Sequence, residues 1–346
     1  MSFSVAIVGL PNVGKSTLFK ALTKKKVDIA TYPFTTLHPN YGTVSVPDER
    51  LEKIAKIIKP EKITPTVIEF VDIAGLVKGA HKGEGLGNQF LAQIRNCDAV
   101  LEVTRVFENP TAENVLGEIN PEKEIEIVKT ELLMKDLETL ENLISKNQKD
   151  GKRDKKILIK LEFLKKIKEG VSQGKPISEI DLTEEELKEI QEYQFLTEKP
   201  IFYVLNINDV ARPSLSRPKD NFLAINLREE EEISELSESE IKELNLKSRL
   251  DQLILGCYNA LSLITFFTIA GGKETRAWTV KSFTPTPMAG AKVHSDFEKK
   301  FIRAEVVPWQ KLVEANSWAK ARELGWLKTV GKDYLVKDGD IIEFKI

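Results

Sequence analysis

The segment that most constrains the fold is the run "GLPNVGKS", which satisfies the pattern G-x-x-x-x-G-K-[ST] in full. It follows the short apolar run "SVAIVG" and precedes the helical pattern "KSTLFKALT", so we expect a strand, a glycine loop and a helix. In such a loop, backbone N–H groups turn inward around phosphates, the Lys reaches the β and γ oxygens, and the Ser hydroxyl binds Mg²⁺. The predicted phosphate-binding residues of the loop and helix are Asn12, Val13, Gly14, Lys15, Ser16 and Thr17.

Three further apolar runs are typical of buried strands. They are "TVIEFVDIAG", "AVLEVTRVF" (residues 99–107) and "PIFYVLNIN" (residues 200–208), and helical segments separate them. Strands that alternate with helices form a mostly parallel sheet, and such sheets bind ligands at the carboxyl ends of their strands. The sequence therefore predicts an α/β fold, namely a P-loop NTPase domain that is like a G domain.

The predicted magnesium site has its other partners downstream of the loop. "VDIAG" puts Asp72 at a strand end, where its carboxylate can hold Mg²⁺ through water, and puts the Gly75 N–H where it can meet a γ-phosphate. The stretch "YPFTTLHPN" supplies Thr35 and Thr36, either of which can complete the Mg²⁺ shell. We favour Thr36, so the predicted metal ligands are Ser16, Thr36 and Asp72.

The residues that would promote hydrolysis are less clearly marked. Leu76 stands where a Ras-type enzyme carries the Gln that orients the attacking water, so we expect slow turnover. His81 is a candidate water-positioning residue, and a loop His without a catalytic task is the alternative. Asn12 is a candidate ligand for K⁺, and an ordinary loop Asn is the alternative.

The run "VLNIND", residues 204–209, is the predicted base-reading segment. A strand that ends in Asn-x-x-Asp is how many GTPases read guanine, because the carboxylate accepts hydrogen bonds from the ring N–H and the exocyclic amine. Ile207 stands where such readers usually carry a Lys that lies along the ring. The predicted base-binding residues are Asn206, Ile207 and Asp209.

Between the last two predicted strands the apolar spacing becomes helical. From Val128 to Ile144 apolar residues recur at steps of three to five, close to a coiled-coil seam, and a facing group follows the polar run "KNQKDGKRDKK". We therefore predict an antiparallel helical hairpin inserted into the nucleotide domain. Residues 149–169 carry nine Lys or Arg against four Asp or Glu, which is typical of a solvated face, with an RNA contact as the alternative. The seam residues are Val128, Leu133, Leu137, Leu140 and Ile144, facing Ile157, Leu161, Leu164 and Val171.

Composition argues against several classes of protein. Lys and Arg (51) nearly balance Asp and Glu (53), so no overall field requires a nucleic-acid partner. Cys97 and Cys257 lack metal-ligand spacing, and the N-terminus lacks the basic region of a signal peptide. The longest apolar stretch, "LSLITFFTIA", is too short to span a bilayer. We expect a cytoplasmic monomer that binds neither membrane nor DNA.

Several strings resemble those of one family: "GLPNVGKSTLF", "YPFTTLHPNYG", "DIAGLVKGAHKGEGLGNQFL", "TFFTIAGGKETRAWTV" and "YLVKDGDIIEF". Together they look like the YchF family of Obg-like ATPases, and the resemblance runs nearly end to end. It implies a nucleotide domain of the TRAFAC class, a coiled-coil insertion and a C-terminal β-grasp domain of the TGS type. It also implies association with the ribosome and a preference for ATP over GTP.

Two positions depart from the family's pattern. The family usually has Asn-x-x-Glu in its base-reading motif, whereas Asp209 is the residue of a guanine reader. The missing Lys and the family's wider pocket favour ATP, with Asn206 meeting the adenine edge, and GTP is the alternative. Asn114 stands where family members commonly carry a His considered for hydrolysis. An amide can orient water but cannot act as a base at neutral pH, so Asn114 is a candidate catalytic residue of a weaker kind.

From these patterns we expect three units. They are a P-loop nucleotide domain of the OBG type over residues 1–120 and 196–277, a helical coiled coil over 121–195, and a TGS-like domain over 278–346. The expected function is a slow Mg²⁺-dependent ATPase that acts as a conformational switch and contacts the ribosome or its RNA through the coiled coil and the TGS-like domain. The alternatives are an Obg-like GTPase in ribosome assembly, an ATP-sensing module with little turnover, and an RNA-binding protein whose nucleotide site is incidental.

Overall fold

Two β-sheets, each with its own helices, organise the residues that the structure describes. The computed structural model describes residues 2–24, 40–73, 87–108, 116–150, 155–208, 221–269 and 271–346. No helix in these ranges is both long and apolar enough to cross a membrane. The strands are β1 (Phe3–Val8), β2 (Tyr41–Ser45), β3 (Lys62–Thr64), β4 (Val67–Asp72), β5 (Ala99–Val106), β6 (Ile201–Ile207), β7 (Phe222–Ile225), β8 (Leu263–Ile269), β9 (Glu274–Lys281), β10 (Arg303–Pro308), β11 (Lys328–Val330) and β12 (Asp340–Lys345). The helices are α1 (Lys15–Lys24), α2 (Glu49–Ile58), α3 (Gly87–Arg95), α4 (Pro121–Asp150), α5 (Lys155–Ser172), α6 (Glu184–Ile190), α7 (Leu227–Glu235), α8 (Glu238–Glu243), α9 (Leu250–Ala260), α10 (Thr286–Val293), α11 (Ser295–Lys299), α12 (Trp309–Ala315) and α13 (Trp318–Glu323).

The first sheet is the mostly parallel α/β sheet that the sequence predicts. In the described residues its strand order is β2-β4-β1-β5-β6-β7, and every neighbouring pair is parallel except β2 with β4. All eight residues of β5 are buried, as expected for a central parallel strand with helices on both faces. The same core contains Leu18 and Leu22 of α1 and Leu253 and Ile254 of α9.

The second sheet has mixed strand directions and holds the C-terminal part of the chain. Its order within the described ranges is β11-β10-β12-β8-β9-β3. Strands β8 and β9 form an antiparallel pair from Leu263 to Lys281, and β8 pairs in parallel with β12 at Phe267 and Ile341. The division expected from the sequence assigns residues 263–277 to the nucleotide domain, whereas strand pairing joins them to this second sheet.

The segment between β2 and β4 leaves the first sheet and enters the second. Asp48 caps the start of α2 by accepting a hydrogen bond from the Arg50 backbone N–H. Leu51 and Ile54 of α2 are buried in a core shared with residues of β8, β9, β10, β12, α12 and α13. The chain then forms β3, which pairs in parallel with β9, before it returns to the first sheet as β4. Residues 46–66, which we call the crossing segment, therefore join the two sheets.

The predicted helical hairpin corresponds to two long helices, α4 and α5. They share a buried apolar cluster that includes Leu140, Ile144, Leu161 and Leu164, and the Lys168 ammonium lies 2.9 Å from the Glu141 carboxylate. Val128 was expected in this seam, but it is buried in the core of the first sheet instead. The physical reason is that the first turns of α4 pack against β5 before the helix extends away from the sheet.

Candidate nucleotide-binding site

The glycine loop lies between β1 and α1, at the carboxyl edge of the first sheet. Its bends need glycine at two positions, since Gly9 and Gly14 have backbone φ angles of 146° and 107°. A Cβ atom on Gly9 would lie 2.3 Å from the Val103 carbonyl oxygen of β5, and a Cβ atom on Gly14 would lie 2.5 Å from the Asn206 side-chain nitrogen. The loop is thus folded tightly onto the ends of β5 and β6.

Lys15 is a buried cation at the start of α1. Its side chain is only 8% exposed, and its Nζ donates a hydrogen bond to the Leu10 carbonyl oxygen at 2.8 Å. Burial lowers the pKa of Lys15 to about 8, and the negative charges of Asp72 and Glu124 oppose this shift. A desolvated ammonium held in a loop of this kind is suited to binding phosphate oxygens.

Ser16 and Asp72 lie together beside the lysine. The Ser16 hydroxyl donates a hydrogen bond to the Asp72 Oδ2 at 3.3 Å, and burial raises the pKa of Asp72 while the Ser16 hydrogen bond and Lys15 lower it. A hydroxyl and a carboxylate are hard oxygen donors, which Mg²⁺ prefers, and it binds such sites with few protein ligands and several waters. The two residues brought together therefore fit the predicted magnesium site.

The end of β4 is also tied to the segment that precedes β2. The Asp72 backbone N–H donates to the Asn40 carbonyl oxygen at 2.9 Å. Asn40 directly follows residues 25–39, which lie outside the described residues and include Thr36. Two of the three predicted metal-ligand positions, Ser16 and Asp72, are thus in contact, and the third, Thr36, lies outside the described residues.

Asn206 connects the loop to β6 and α7. Its side-chain Nδ2 donates to the Val13 carbonyl oxygen at 2.9 Å, and its Oδ1 accepts from the Leu227 backbone N–H at 3.2 Å. The amide is buried, and Ile207 follows at the end of β6, half-buried. The sequence pointed to Asn206 as a base-binding residue, and the structure adds that the same amide braces the phosphate loop.

Five of the predicted site residues lie outside the described parts of the chain. The structure therefore does not test their positions, and their assignments stay predictions. These residues are Thr36, Gly75, His81, Asn114 and Asp209.

Sequence reasoning missed a buried carboxylate at this site. Glu124, in the first turn of α4, is 2% exposed, and its Oε2 accepts a hydrogen bond from the Arg105 backbone N–H at 2.9 Å. Burial raises the pKa of Glu124 to about 7, while the Arg105 N–H and the charges of Arg105 and Lys15 oppose the shift. The only signal in the sequence is an acidic residue in the first turn of a helix, which is common in helices of every kind.

Two family models match most of this chain. A family model described as "50S ribosome-binding GTPase" matches residues 4–207, and a YchF-GTPase C-terminal model, described as "Protein of unknown function (DUF933)", matches residues 263–346. Proteins named "Ribosome-binding ATPase YchF" match over their full length. The one from Bacillus subtilis (strain 168) is 42% identical over an alignment of 364 residues, covering 100% of this chain and 99% of the relative. The one from Haemophilus influenzae is 44% identical over 361 residues, with the same coverage.

A solved structure of a relative matches the fold of the chain. The structure of the Schizosaccharomyces pombe YchF GTPase superposes with a TM-score of 0.87 at 34% sequence identity, covering 99% of this chain and 98% of that one. The resemblance noted in the sequence therefore holds for the whole length of the chain and for its fold. At this identity and coverage, the chain belongs to the YchF family.

Proposed function

We propose that this protein is a slow Mg²⁺-dependent ATPase that hydrolyses ATP to ADP and phosphate and acts as a ribosome-associated conformational switch. The observation that carries the proposal is the contact of Ser16 with Asp72 beside the buried Lys15. Relatives named ribosome-binding ATPase that match over the full length support the nucleotide and the partner.

Each residue of the site has a chemical task in this proposal. Lys15 and the loop N–H groups bind the phosphates, and Ser16, Asp72 and Thr36 hold Mg²⁺. When bound, the ion neutralises charge on the β and γ phosphate oxygens. Gly75 meets the γ-phosphate, and Asn12 is the proposed ligand for K⁺. His81 and Asn114 are proposed to position the attacking water, and turnover is slow because Leu76 replaces a water-orienting Gln.

The base is proposed to be adenine, with Asn206, Ile207 and Asp209 around it. The bacterial relatives are named ATPases, which supports adenine, and the S. pombe relative is called a GTPase, which supports guanine. An Obg-like GTPase in ribosome assembly is therefore the second candidate, and the guanine-reading character of Asp209 favours it.

The crossing segment supports the switch part of the proposal. Its two flanks lead to the metal site, since β2 starts next to Asn40 and β4 ends at Asp72. Its middle is fixed in the second sheet by β3 and by the buried side chains of α2. A shift of Asp72 that depends on the nucleotide would thus move the crossing segment and, with it, the C-terminal unit. Switch proteins use order–disorder and rigid-body changes of this kind.

The proposed units that contact the ribosome are a coiled coil formed by α4 and α5 and a TGS-type β-grasp domain in the C-terminal part. The division expected from the sequence is kept for the coiled coil at residues 121–195. For the C-terminal unit we propose a start at β8, because β8 and β9 pair with β12 and β3. The positive charges of both units would meet ribosomal RNA.

The test is a competition titration of ATP and GTP with Mg²⁺ and K⁺ present, followed by phosphate release with and without ribosomes. We expect ATP to bind about tenfold tighter or more, which corresponds to about 1.4 kcal/mol, and ribosomes to stimulate release. Lys15→Met should abolish both the tight binding of nucleotide and the release of phosphate. Lys20→Met is the matched control, because Lys20 lies on the same helix with an exposed side chain.

Each alternative predicts a different outcome of the same experiment. Tighter binding of GTP would make the protein an Obg-like GTPase. Binding of ATP without turnover, even on ribosomes, would make it an ATP-sensing module. If wild type and Lys15→Met both bind ribosomes equally well with and without nucleotide, the protein would be an RNA-binding protein whose nucleotide site is incidental.

A further inference from the structure

The hydroxyl of Tyr258 lies where the two sheets meet. Tyr258 belongs to α9, is 5% exposed and packs its ring in the core of the first sheet. Its hydroxyl donates a hydrogen bond to the Thr279 hydroxyl of β9 at 3.0 Å and lies 2.8 Å from the Thr265 hydroxyl of β8. Because a tyrosine hydroxyl has one proton, which here goes to Thr279, the Thr265 hydroxyl is the donor of the second bond. One side chain from the core of the first sheet thus holds two strands of the second sheet.

The same hydroxyl groups also hold the crossing segment. Thr279 shares a hydrogen bond with the hydroxyl of Thr66, the last residue of that segment. The Thr66 carbonyl oxygen accepts from the backbone N–H of Val46, the first residue of the segment, at 2.9 Å. Both ends of the crossing segment therefore meet at Thr66. We call Tyr258, Thr265, Thr279 and Thr66 the hydroxyl joint.

The passages of the chain between the two sheets lie at this joint. Among the described residues the chain passes from one sheet to the other three times: after β2, before β4, and between α9 and β8. The first two passages are at Val46 and Thr66, and the third lies between Tyr258 and Thr265. Hydrogen bonds between hydroxyl groups are directional and short. A displacement of α9 or of the crossing segment is therefore passed to β8 and β9 while these bonds are intact.

We infer that Tyr258 is a positioning residue of the switch: its hydroxyl makes the second sheet follow the first sheet and the crossing segment when nucleotide binds. Strand β4 runs from Val67, next to the joint, to Asp72 of the nucleotide site, so the strand links the two places. Without the Tyr258 hydroxyl, β8 and β9 lose the hydrogen bonds that join them to α9. The inference deepens the proposed function and rests on its switch part.

The test compares wild type with Tyr258→Phe, which keeps the ring in the core and removes the hydroxyl. Tyr334→Phe is the matched control, since the Tyr334 hydroxyl donates to the Asp340 carboxylate at 2.8 Å within the C-terminal unit. Hydrogen exchange of backbone amides is followed by mass spectrometry with and without Mg²⁺ and AMP-PNP, an analogue of ATP that is not hydrolysed. In wild type we expect the nucleotide to slow exchange in β1 and β5 and also in β8 and β9.

In Tyr258→Phe we expect the nucleotide to slow exchange in β1 and β5 as it does in wild type. In β8 and β9 the slowing should fall to less than about a third of the wild-type factor, because the coupling is lost with the contact that carries it. Tyr334→Phe should keep the full slowing in β8 and β9. A merely structural role of the hydroxyl predicts no such difference between the two variants, since each loses a hydrogen bond of the C-terminal unit.

Three results would overturn the inference. The nucleotide could slow exchange in β8 and β9 equally in wild type and in Tyr258→Phe, or the effect could be lost equally in Tyr334→Phe. The third is a wild type in which the nucleotide slows exchange in β1 and β5 but not in β8 and β9, and the proposed nucleotide site would then stand without the coupling. A wild type in which nucleotide changes the exchange of no strand would instead contradict the proposed function.

A second measurement needs no nucleotide and therefore judges the joint independently of the proposed function. Exchange is followed in rising urea below the unfolding transition, where amides that open together share one free energy of opening. In wild type the slowest amides of both sheets should open together. In Tyr258→Phe those of β8 and β9 should exchange about tenfold faster than those of β1 and β5. Separate opening in wild type, or common opening in Tyr258→Phe, would refute the joint.

A second variant serves if Tyr258→Phe does not fold. Thr279→Val removes the hydroxyl that bonds both Tyr258 and Thr66 at nearly constant side-chain size, and the same results are expected of it in both measurements. Thr268→Val is its control, because the Thr268 hydroxyl accepts from the Trp278 indole N–H within the second sheet. Equal behaviour of the two threonine variants would overturn the inference.

Discussion

At the scale of single residues, Gly14 shows how the loop depends on a backbone shape that other residues avoid. Its φ of 107° lies in the region that favours glycine, and a Cβ atom would come within 2.5 Å of the Asn206 amide. That amide holds both Val13 and Leu227. A side chain at position 14 would therefore disturb the loop, β6 and α7 together.

We predict that Gly14→Ala lowers the free energy of unfolding by about 2–4 kcal/mol, the sum of backbone strain and a displaced buried hydrogen bond. It should also weaken nucleotide binding. Gly174→Ala is the control, because Gly174 has a φ of 80° and no atom within 4 Å of the added Cβ. Urea denaturation of both variants separates two effects. Both share the backbone strain of a positive φ, whereas only Gly14→Ala brings a Cβ atom against the Asn206 amide. An equal loss in the two would show that the Asn206 contact is unimportant.

The sequence predicted a base-binding role for Asn206 but not the contacts that its side chain makes with Val13 and Leu227. A strand-end Asn in the run "VLNIND" predicts a residue near the nucleotide, because strand ends line the ligand edge of a parallel sheet. Its bond to the Val13 carbonyl depends on how the loop folds back over β6, and this distant contact has no local signature. Glu124 escaped notice for the same reason, since its partner Arg105 is 19 residues away in the chain.

At the scale of helices and strands, Asp136 fixes α4 to the point where the chain returns to the first sheet. The side chain is fully buried, and it accepts hydrogen bonds from the backbone N–H groups of Leu196 and Thr197 at 2.9 and 2.8 Å. A third bond comes from the Thr197 hydroxyl at 2.7 Å. One carboxylate thus closes the base of the helical insertion.

We predict that Asp136→Ala lowers the free energy of unfolding by about 3–5 kcal/mol, because three buried donors lose their acceptor. Asp181→Ala serves as the control, since Asp181 lies in the same insertion and is exposed, and it should change stability by less than about 0.5 kcal/mol. Both values come from urea denaturation. A small loss in Asp136→Ala would mean that water replaces the carboxylate.

The apolar spacing in the sequence predicted the helical insertion but not where its contacts change. Leu140 and Ile144 pack in the expected seam, whereas Val128 packs on the first sheet. A helical stripe reports only that one face is buried. It does not say whether a helix or a sheet covers that face, so the passage of α4 from one neighbour to the other had to come from the structure.

At the scale of the whole molecule, the crossing segment makes the two sheets interdependent. Arg50 of α2 bonds Asp338 in the turn before β12, and Asp338 also accepts from the Thr265 backbone N–H at 2.9 Å. Ile54 is fully buried among residues of the C-terminal unit. Ile54, which lies in the chain between two strands of the first sheet, is thus part of the core of the second sheet.

We predict that Ile54→Ala lowers stability by about 2–5 kcal/mol and speeds hydrogen exchange at the amides of β8 and β9. The reason is that the cavity opens beneath these strands. Lys56→Ala, an exposed position on the same helix, should leave the exchange unchanged. If the exchange rate rose at the amides of β1 and β5 instead, Ile54 would stabilise the first sheet and not the second.

The crossing segment also sets the order in which a newly made chain can be completed. Thr64 of β3 bonds Glu274 of β9, 210 residues later in the sequence. At synthesis rates of roughly 5–20 residues per second, this partner emerges roughly 10–40 s afterwards. Until then, β3 lacks the strand with which it pairs in the described residues, β9, and α2 lacks the C-terminal side chains of its core. Residues from Glu274 onward are therefore needed to fix the segment that leads to Asp72. A chain released before they are made would contain the phosphate loop, but its crossing segment would lack the strand that holds it in the second sheet.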